Sequence, residues 1–136
     1  MNNPQVPISV GEALDKITIL EIKEEMITDK AAVEKAKHER SLIEASLVEA
    51  GVPADVMSGE ATRQLYYVNL ALWKAEDAFR ASRETLQEHM TKVREFTDLA
   101  EAIPDLNRQR FDAKRAINEI CGSTIMEVKQ YHGEGA

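Results

Sequence analysis

Ser9-Val10-Gly11-Glu12-Ala13-Leu14-Asp15-Lys16-Ile17-Thr18-Ile19-Leu20-Glu21-Ile22-Lys23-Glu24-Glu25-Met26-Ile27 is the stretch whose reading decides the fold. It opens with Ser9-Val10-Gly11-Glu12, a capping box in which the Ser hydroxyl accepts from the amide three residues on and the Glu carboxylate reaches back. Wound at about 100° per residue, Val10, Ala13, Leu14, Ile17, Leu20 and Ile27 form one broad apolar stripe, and Ile19, Ile22 and Met26 lie roughly opposite. A helix apolar on two sides needs neighbours on both. The expectation is a helix running to about Ile27, central in a bundle and shared across an interface between copies of the chain.

Working outward, a second helix is expected from about Asp29 to Ala50, with Ala32, Ala36, Ile43, Leu47 and Ala50 on one face and Lys/Glu pairs on the other. Gly51-Val52-Pro53 stops it: a left-handed glycine, a valine that folds back, and a proline that forbids continuation. From Ser58 the helical register of Leu65, Val68, Leu72, Ala75, Phe79 and Leu86 continues with no Gly or Pro before Pro104. Either one long helix results or a break falls between Thr85 and Thr97, where Thr85, Thr91 and Thr97 are all candidate caps. The last helix carries Leu106, Ala113, Ala116, Ile117 and Ile120 on its core face and ends at Gly122. Pro104 either starts it or kinks a longer helix beginning near Thr97. Residues 1–8, with Pro4 and Pro7, read as an extended arm, Ser123 to Tyr131 as an extended tail, and the residues after His132 as disordered. The chain of 136 residues is the size of one domain. The expected fold is all-α: an antiparallel bundle of four or five helices over residues 9–122, with extended N- and C-terminal arms.

The formal charge is −7, from 17 basic and 24 acidic residues, which disfavours the clustered cations that nucleic-acid binding requires. No run approaches the roughly 18 apolar residues of a bilayer span, and Met1 to Ser9 lack the basic start and apolar core of a secretory signal. A cytoplasmic protein is expected, which the lone Cys121 suits. One Cys and three His argue against a structural zinc site. No Gly-rich phosphate loop, Gly-x-Ser-x-Gly elbow or His-Glu-x-x-His pair occurs. His38 and His89 sit on charged helical stretches, and Cys121 lies at the dipole end that does not activate a thiolate. No catalytic residue is therefore assigned.

The polar residues of the last helix separate into two rows. Arg108, Asp112, Arg115 and Glu119 alternate in sign, as a solvated, self-paired face does. Asn107, Arg110, Lys114 and Asn118 follow the same spacing without an acid, and Arg110 and Lys114 are like charges one turn apart, an unfavourable pair unless an anion lies between them. That anion is either the protein's own carboxylates or a small ligand carboxylate or phosphate. Glu21 and Glu24 of the first helix border its apolar stripe and need compensation there. On the third helix Asn69, Trp73, Glu76 and Arg80 share a side; Glu76 and Arg80 form an i, i+4 pair, and Asp77 is placed to face Arg110 or Lys114. The candidate ligand-binding or internal salt-bridge cluster is thus Arg110, Lys114, Asn107, Asn118, Asp77, Glu21, Asn69 and Arg80.

Three blocks of this sequence resemble a bacterial family of uncharacterised proteins of about this length. They are Val6-Pro7-x-Ser9-x-Gly11-Glu12 continuing through Asp15-Lys16-Ile17-Thr18-Ile19-Leu20-Glu21-Ile22-Lys23; Asn69-x-x-Leu72-Trp73-x-x-Glu76-Asp77-x-x-Arg80; and Asn107-x-x-Arg110-x-x-x-Lys114-x-x-Ile117-Asn118, followed by Gly122-Ser123, Glu127, Lys129 and Tyr131. The resemblance spans most of the chain, departs between Ala81 and Pro104, and implies no activity. Its polar positions coincide with the rows found from spacing. A weaker likeness is to the all-helical nucleotide pyrophosphohydrolases, which hold Mg²⁺ with Glu-x-x-Glu and Glu-x-x-Asp; Glu21 and Glu24 match the first half, but Lys74 stands three before Asp77. Three readings follow. The first is a non-catalytic binding or interaction module, without a cofactor, built on the polar cluster and open to a small anionic ligand. The second is a Mg²⁺-dependent nucleotide pyrophosphohydrolase with Glu21, Glu24 and Asp77 on the metal and Lys114 and Arg110 on phosphate. The third is an obligate homodimer, a dimer being the favoured homo-oligomer. Neither a nucleic acid nor a membrane is expected as a partner.

Overall fold

A computed structural model of the chain describes residues 1–85, 92–125, 127 and 128. The fold is an all-α helical bundle with five elements among the described residues: α1 (Val10–Met26), α2 (Lys30–Glu49), the single turn α3 (Ala54–Met57), α4 (Glu60–Thr85) and α5 (Lys92–Cys121). Residues 1–9 form no regular element, nor do Ser123 to Ile125, Glu127 and Val128.

Four of the helix ends have a local cause. Ser9 caps α1, its hydroxyl accepting from the Glu12 amide at 3.1 Å, and Asp29 caps α2 by accepting from the Ala31 amide at 3.0 Å. Only half of the capping box forms, since the Glu12 carboxylate extends to Lys114 on α5. After α2, Gly51 turns left-handed at φ 80°, which lets its own amide reach the Val48 carbonyl and the Val52 amide reach the Leu47 carbonyl, both at 3.0 Å. This is the paired-bond C-terminal motif read from Gly-Val-Pro, and Val52 packs back against the core as its apolar contact. The same two bonds close α5, from Gly122 to Glu119 and from Ser123 to Asn118.

Pro104 does not begin the last helix but lies inside a longer one, the second of the two alternatives, and α5 (Lys92–Cys121) extends ahead of Thr97. Proline removes one backbone donor, and the solvent-exposed position of Pro104 leaves the opposed carbonyl accessible to water. The expectation of a break after Thr85, where it falls at residues 86–91, and the register position of Leu86 lie outside the described residues, as do His89 and Tyr131 to Ala136. The turn α3 was not foreseen; it places Val56 and Met57 under the core.

The core is formed by Ala13, Leu14, Ile17, Leu47, Leu65, Ala113 and Ile117, one or more from each of α1, α2, α4 and α5. Burying side chains of this kind contributes about 1.5–3 kcal/mol each for the larger ones. Helix α1 is central, as its two stripes predicted. Of the second stripe, Ile22 is 1% exposed within a single chain, Ile19 is partly buried and Met26 is exposed. No helix among the described residues is long and apolar enough to cross a membrane.

Candidate functional site

Helices α1 and α5 run antiparallel and approach closely at their ends. Gly11 is where they meet: a Cβ there would lie 2.5 Å from the Lys114 carbonyl oxygen and 2.8 Å from Asn118 Oδ1. Lacking one, Gly11 donates its amide to Asn118 Oδ1 at 2.6 Å. That amide is one of the orphan donors at the start of α1, so a side chain on α5 completes the cap that Ser9 begins.

One turn further along α1 is Asp15, with no solvent exposure. A fully buried carboxylate is strongly unfavourable unless paired and hydrogen-bonded. Both of its oxygens are engaged. Arg110 on α5 lays its fork on them, Nε to Oδ1 at 2.9 Å and Nη2 to Oδ2 at 2.5 Å. Asn69 on α4 donates to Oδ1 at 2.9 Å, and to the Thr18 hydroxyl at 2.9 Å, while Thr18 donates to the Asp15 carbonyl at 2.8 Å. Asn69 and Thr18 are themselves buried. The Asp15 hydrogen bonds raise the Arg110 pKa above its ordinary value, against the burial that lowers it.

Lys114, 7% exposed, lies between two acids, 3.3 Å from Glu12 and 2.5 Å from Glu127 of the segment that follows α5. Burial pulls the Lys114 pKa down, but the Glu127 hydrogen bond and the charges of Asp15, Glu12 and Glu127 more than offset it, so the ammonium is held above its ordinary value. The like-charged pair of α5 is thus neutralised by three carboxylates of this chain.

Of the residues singled out from spacing, Arg110, Lys114, Asn118 and Asn69 come together in this network. Asn107 is half-buried one turn before Arg110. The other three do not join. Asp77 is exposed and bonded to Arg80, which corrects the expected Glu76–Arg80 pair to an i, i+3 pair and removes both from the cluster. Glu21 projects from the opposite stripe of α1 into a cleft of its own. The counter-charge expected from Glu21 and Asp77 is supplied instead by Asp15, Glu12 and Glu127. Asp15 had a readable signal: at 100° per residue it falls inside the second apolar stripe, between Ile22 and Met26, where an acid demands a partner.

A second arginine fork holds α1 from the other side. Arg40 on α2 donates through Nε and Nη2 to the two oxygens of Glu24, at 2.6 and 2.9 Å, and through Nη1 to Glu44 at 2.7 Å. These hydrogen bonds lower the Glu24 pKa and raise that of Arg40. With Glu24 held by Arg40 and Asp77 by Arg80, Glu21, Glu24 and Asp77 do not converge, and no group of three candidate metal ligands occurs among the described residues.

No family model, no curated protein and no solved structure matches the chain. The three sequence blocks nevertheless meet in space: the first contributes Gly11, Glu12, Asp15 and Thr18 to the network, the second Asn69, and the third Arg110, Lys114, Asn118 and Glu127.

Proposed function

We propose that this chain is a non-catalytic binding or interaction module, and that the cluster around Asp15 is an internal clamp rather than a ligand site. The observation that carries the reading is the saturation of Asp15: a carboxylate without solvent exposure, bound by both arms of the Arg110 fork and by Asn69. A ligand anion would have to displace a buried carboxylate from a bidentate arginine, which leaves that carboxylate unpaired at a cost of several kcal/mol. The clamp instead fixes the rotation and register of α1 against α4 and α5, the role best attested for buried polar groups within helical assemblies. A thermal-shift titration with phosphate and with citrate, at constant ionic strength, tests it. The reading predicts no saturable stabilisation beyond that of chloride. Saturable stabilisation by either anion, lost on Arg110→Ala, would move the cluster to a ligand site.

A second reading rests on Glu127. It comes from the segment after α5 and, among the described residues, is the one Lys114 partner not held on a helix. Exchange of this carboxylate for that of a small ligand would leave the Asp15–Arg110 pair intact. In the same titration, anion-dependent stabilisation that appears only in Glu127→Ala supports this exchange.

A further inference from the structure

Beside the clamp, with Thr18 shared between them, α1, α2, α3 and α4 surround a cleft of about 360 Å³, within the size range of small-molecule sites. Its floor is apolar, from Leu14, Ile17 and Met57, and its walls carry Glu21, Glu25, Glu44, Tyr66 and Tyr67. The acids are not equivalent. Glu44 is bound by Arg40 at 2.7 Å, and Glu25 accepts from the Tyr66 hydroxyl at 2.8 Å. Arg63, at the margin, is committed to Glu60 at 2.9 Å. Glu21 alone among the three has no hydrogen bond or ion pair among the described residues, although it is half-buried.

We propose that this cleft binds a small aliphatic primary amine, its ammonium on Glu21 and its carbon chain on Leu14, Ile17 and Met57. Charge complementarity selects the head group, since among the described residues Glu21 makes no ion pair, Arg40 being committed to Glu24 and Glu44, while the neighbouring carboxylates are already engaged. The apolar floor selects the body: an inorganic cation would leave Leu14, Ile17 and Met57 uncovered, whereas an aliphatic chain buries against them. Tyr66 and Tyr67, packed edge to face with centroids 5.5 Å apart, supply the electron-rich faces that attract an ammonium. Burial and the charges of Glu44, Glu24 and Glu25, only partly relieved by Arg40, raise the Glu21 pKa, so this carboxylate gains from a bound cation more than an exposed one does. The proposal goes beyond the clamp, and its failure would leave the Asp15–Arg110 reading standing.

The test uses the full chain at about 0.15 M salt, where non-specific attraction to an acidic surface is screened. Pentylamine, 1-pentanol and pentanoate, equal in length and differing in head-group charge, are titrated while amide and methyl NMR shifts are followed. The expected result is saturable binding of pentylamine with shifts confined to Leu14, Ile17, Met57 and Tyr66, none with pentanoate, and at least about tenfold weaker binding of 1-pentanol, the loss of one charge-assisted contact. Glu21→Gln, which keeps the shape of the side chain, is expected to weaken pentylamine binding by about the same factor. Absence of saturation, equal binding of the alcohol, or an unchanged affinity in Glu21→Gln would each overturn the proposal, as would tighter binding of a lysine-bearing peptide than of the free amine.

Discussion

Arg110 sits with 30% of its side chain open to solvent while the Asp15 carboxylate it grips has 1%. The two partners of one ion pair therefore face unequal consequences when the other is removed. Arg110→Ala abandons a charge that water cannot reach and is expected to destabilise by about 3–5 kcal/mol. Asp15→Ala leaves a guanidinium that can turn outward, and the smaller loss of about 1–3 kcal/mol is that of a charged hydrogen-bonded contact. Urea denaturation of the two variants checks the order. Equal losses, or a larger one for Asp15→Ala, would mean that Asp15 is not desolvated as described.

Gly11→Ala reverses the usual helix rule. In an open helix Ala gains about 1 kcal/mol over Gly. Here the new methyl would meet the Lys114 carbonyl at 2.5 Å, and that is backbone rather than a side chain that could swing aside. Prising α1 from α5 also strains the Gly11 to Asn118 hydrogen bond, so overpacking of about 1–3 kcal/mol and a lost buried bond of about 1–3 kcal/mol outweigh the gain. The variant is expected to melt lower than wild type; a higher melting temperature would contradict the close approach.

Two acids on α1 predict opposite responses to pH. The Glu24 pKa is lowered, chiefly by its hydrogen bonds to Arg40. Its contribution is complete above the ordinary Glu value of 4.5 and is lost as pH falls through the lowered one. Glu24→Gln should thus destabilise at pH 7, by about 1 kcal/mol, and approach wild type in acid. Stability curves collected between pH 7 and pH 3 would expose a constant difference if the fork with Arg40 is unimportant.

The Glu21 pKa is raised, chiefly by burial. The native state then favours the protonated form, and the ionised carboxylate is a liability at neutral pH that fades as pH falls through the raised value. Glu21→Gln should stabilise at pH 7, by about 0.5–2 kcal/mol, as relief of an unfavourable surface charge does. The gain should vanish below the ordinary carboxylate range. A loss of stability at pH 7 would show that Glu21 is satisfied within the fold.

Much of this fold can be read from short signals. The Ser9 cap, the Asp29 cap, the Gly51-Val52 turn and the stop at Gly122 are all local hydrogen-bond arrangements, and local chemistry determines them. The acid-free row of α5 was legible because like charges at one-turn spacing demand neutralisation from elsewhere. Which acids answer was not legible, because that depends on the rotation of α1 relative to α5, a property of packing rather than of either helix. Glu21 and Asp15 both interrupt apolar stripes, on opposite faces of α1, and only the close approach at Gly11 decides that Asp15 is the one turned to Arg110. Glu127 was less legible still, since it lies beyond the last helix, where no periodicity constrains its direction. Pro104 left two alternatives open, and the longer helix is the one that forms, because an exposed proline is tolerated within a long helix whose other bonds and packing hold.

The central claim is that Asp15 and Arg110 act as one unit that fastens α1 to α5. A double-mutant cycle of Asp15→Ala, Arg110→Ala and the combined variant, followed by urea denaturation at fixed ionic strength, measures it directly. The account predicts strong non-additivity, with the double variant more stable than Arg110→Ala alone and hence a coupling energy larger than the loss in Asp15→Ala, because removing the second partner also removes the stranded charge. Single-variant losses that add to within about 0.5 kcal/mol would contradict it.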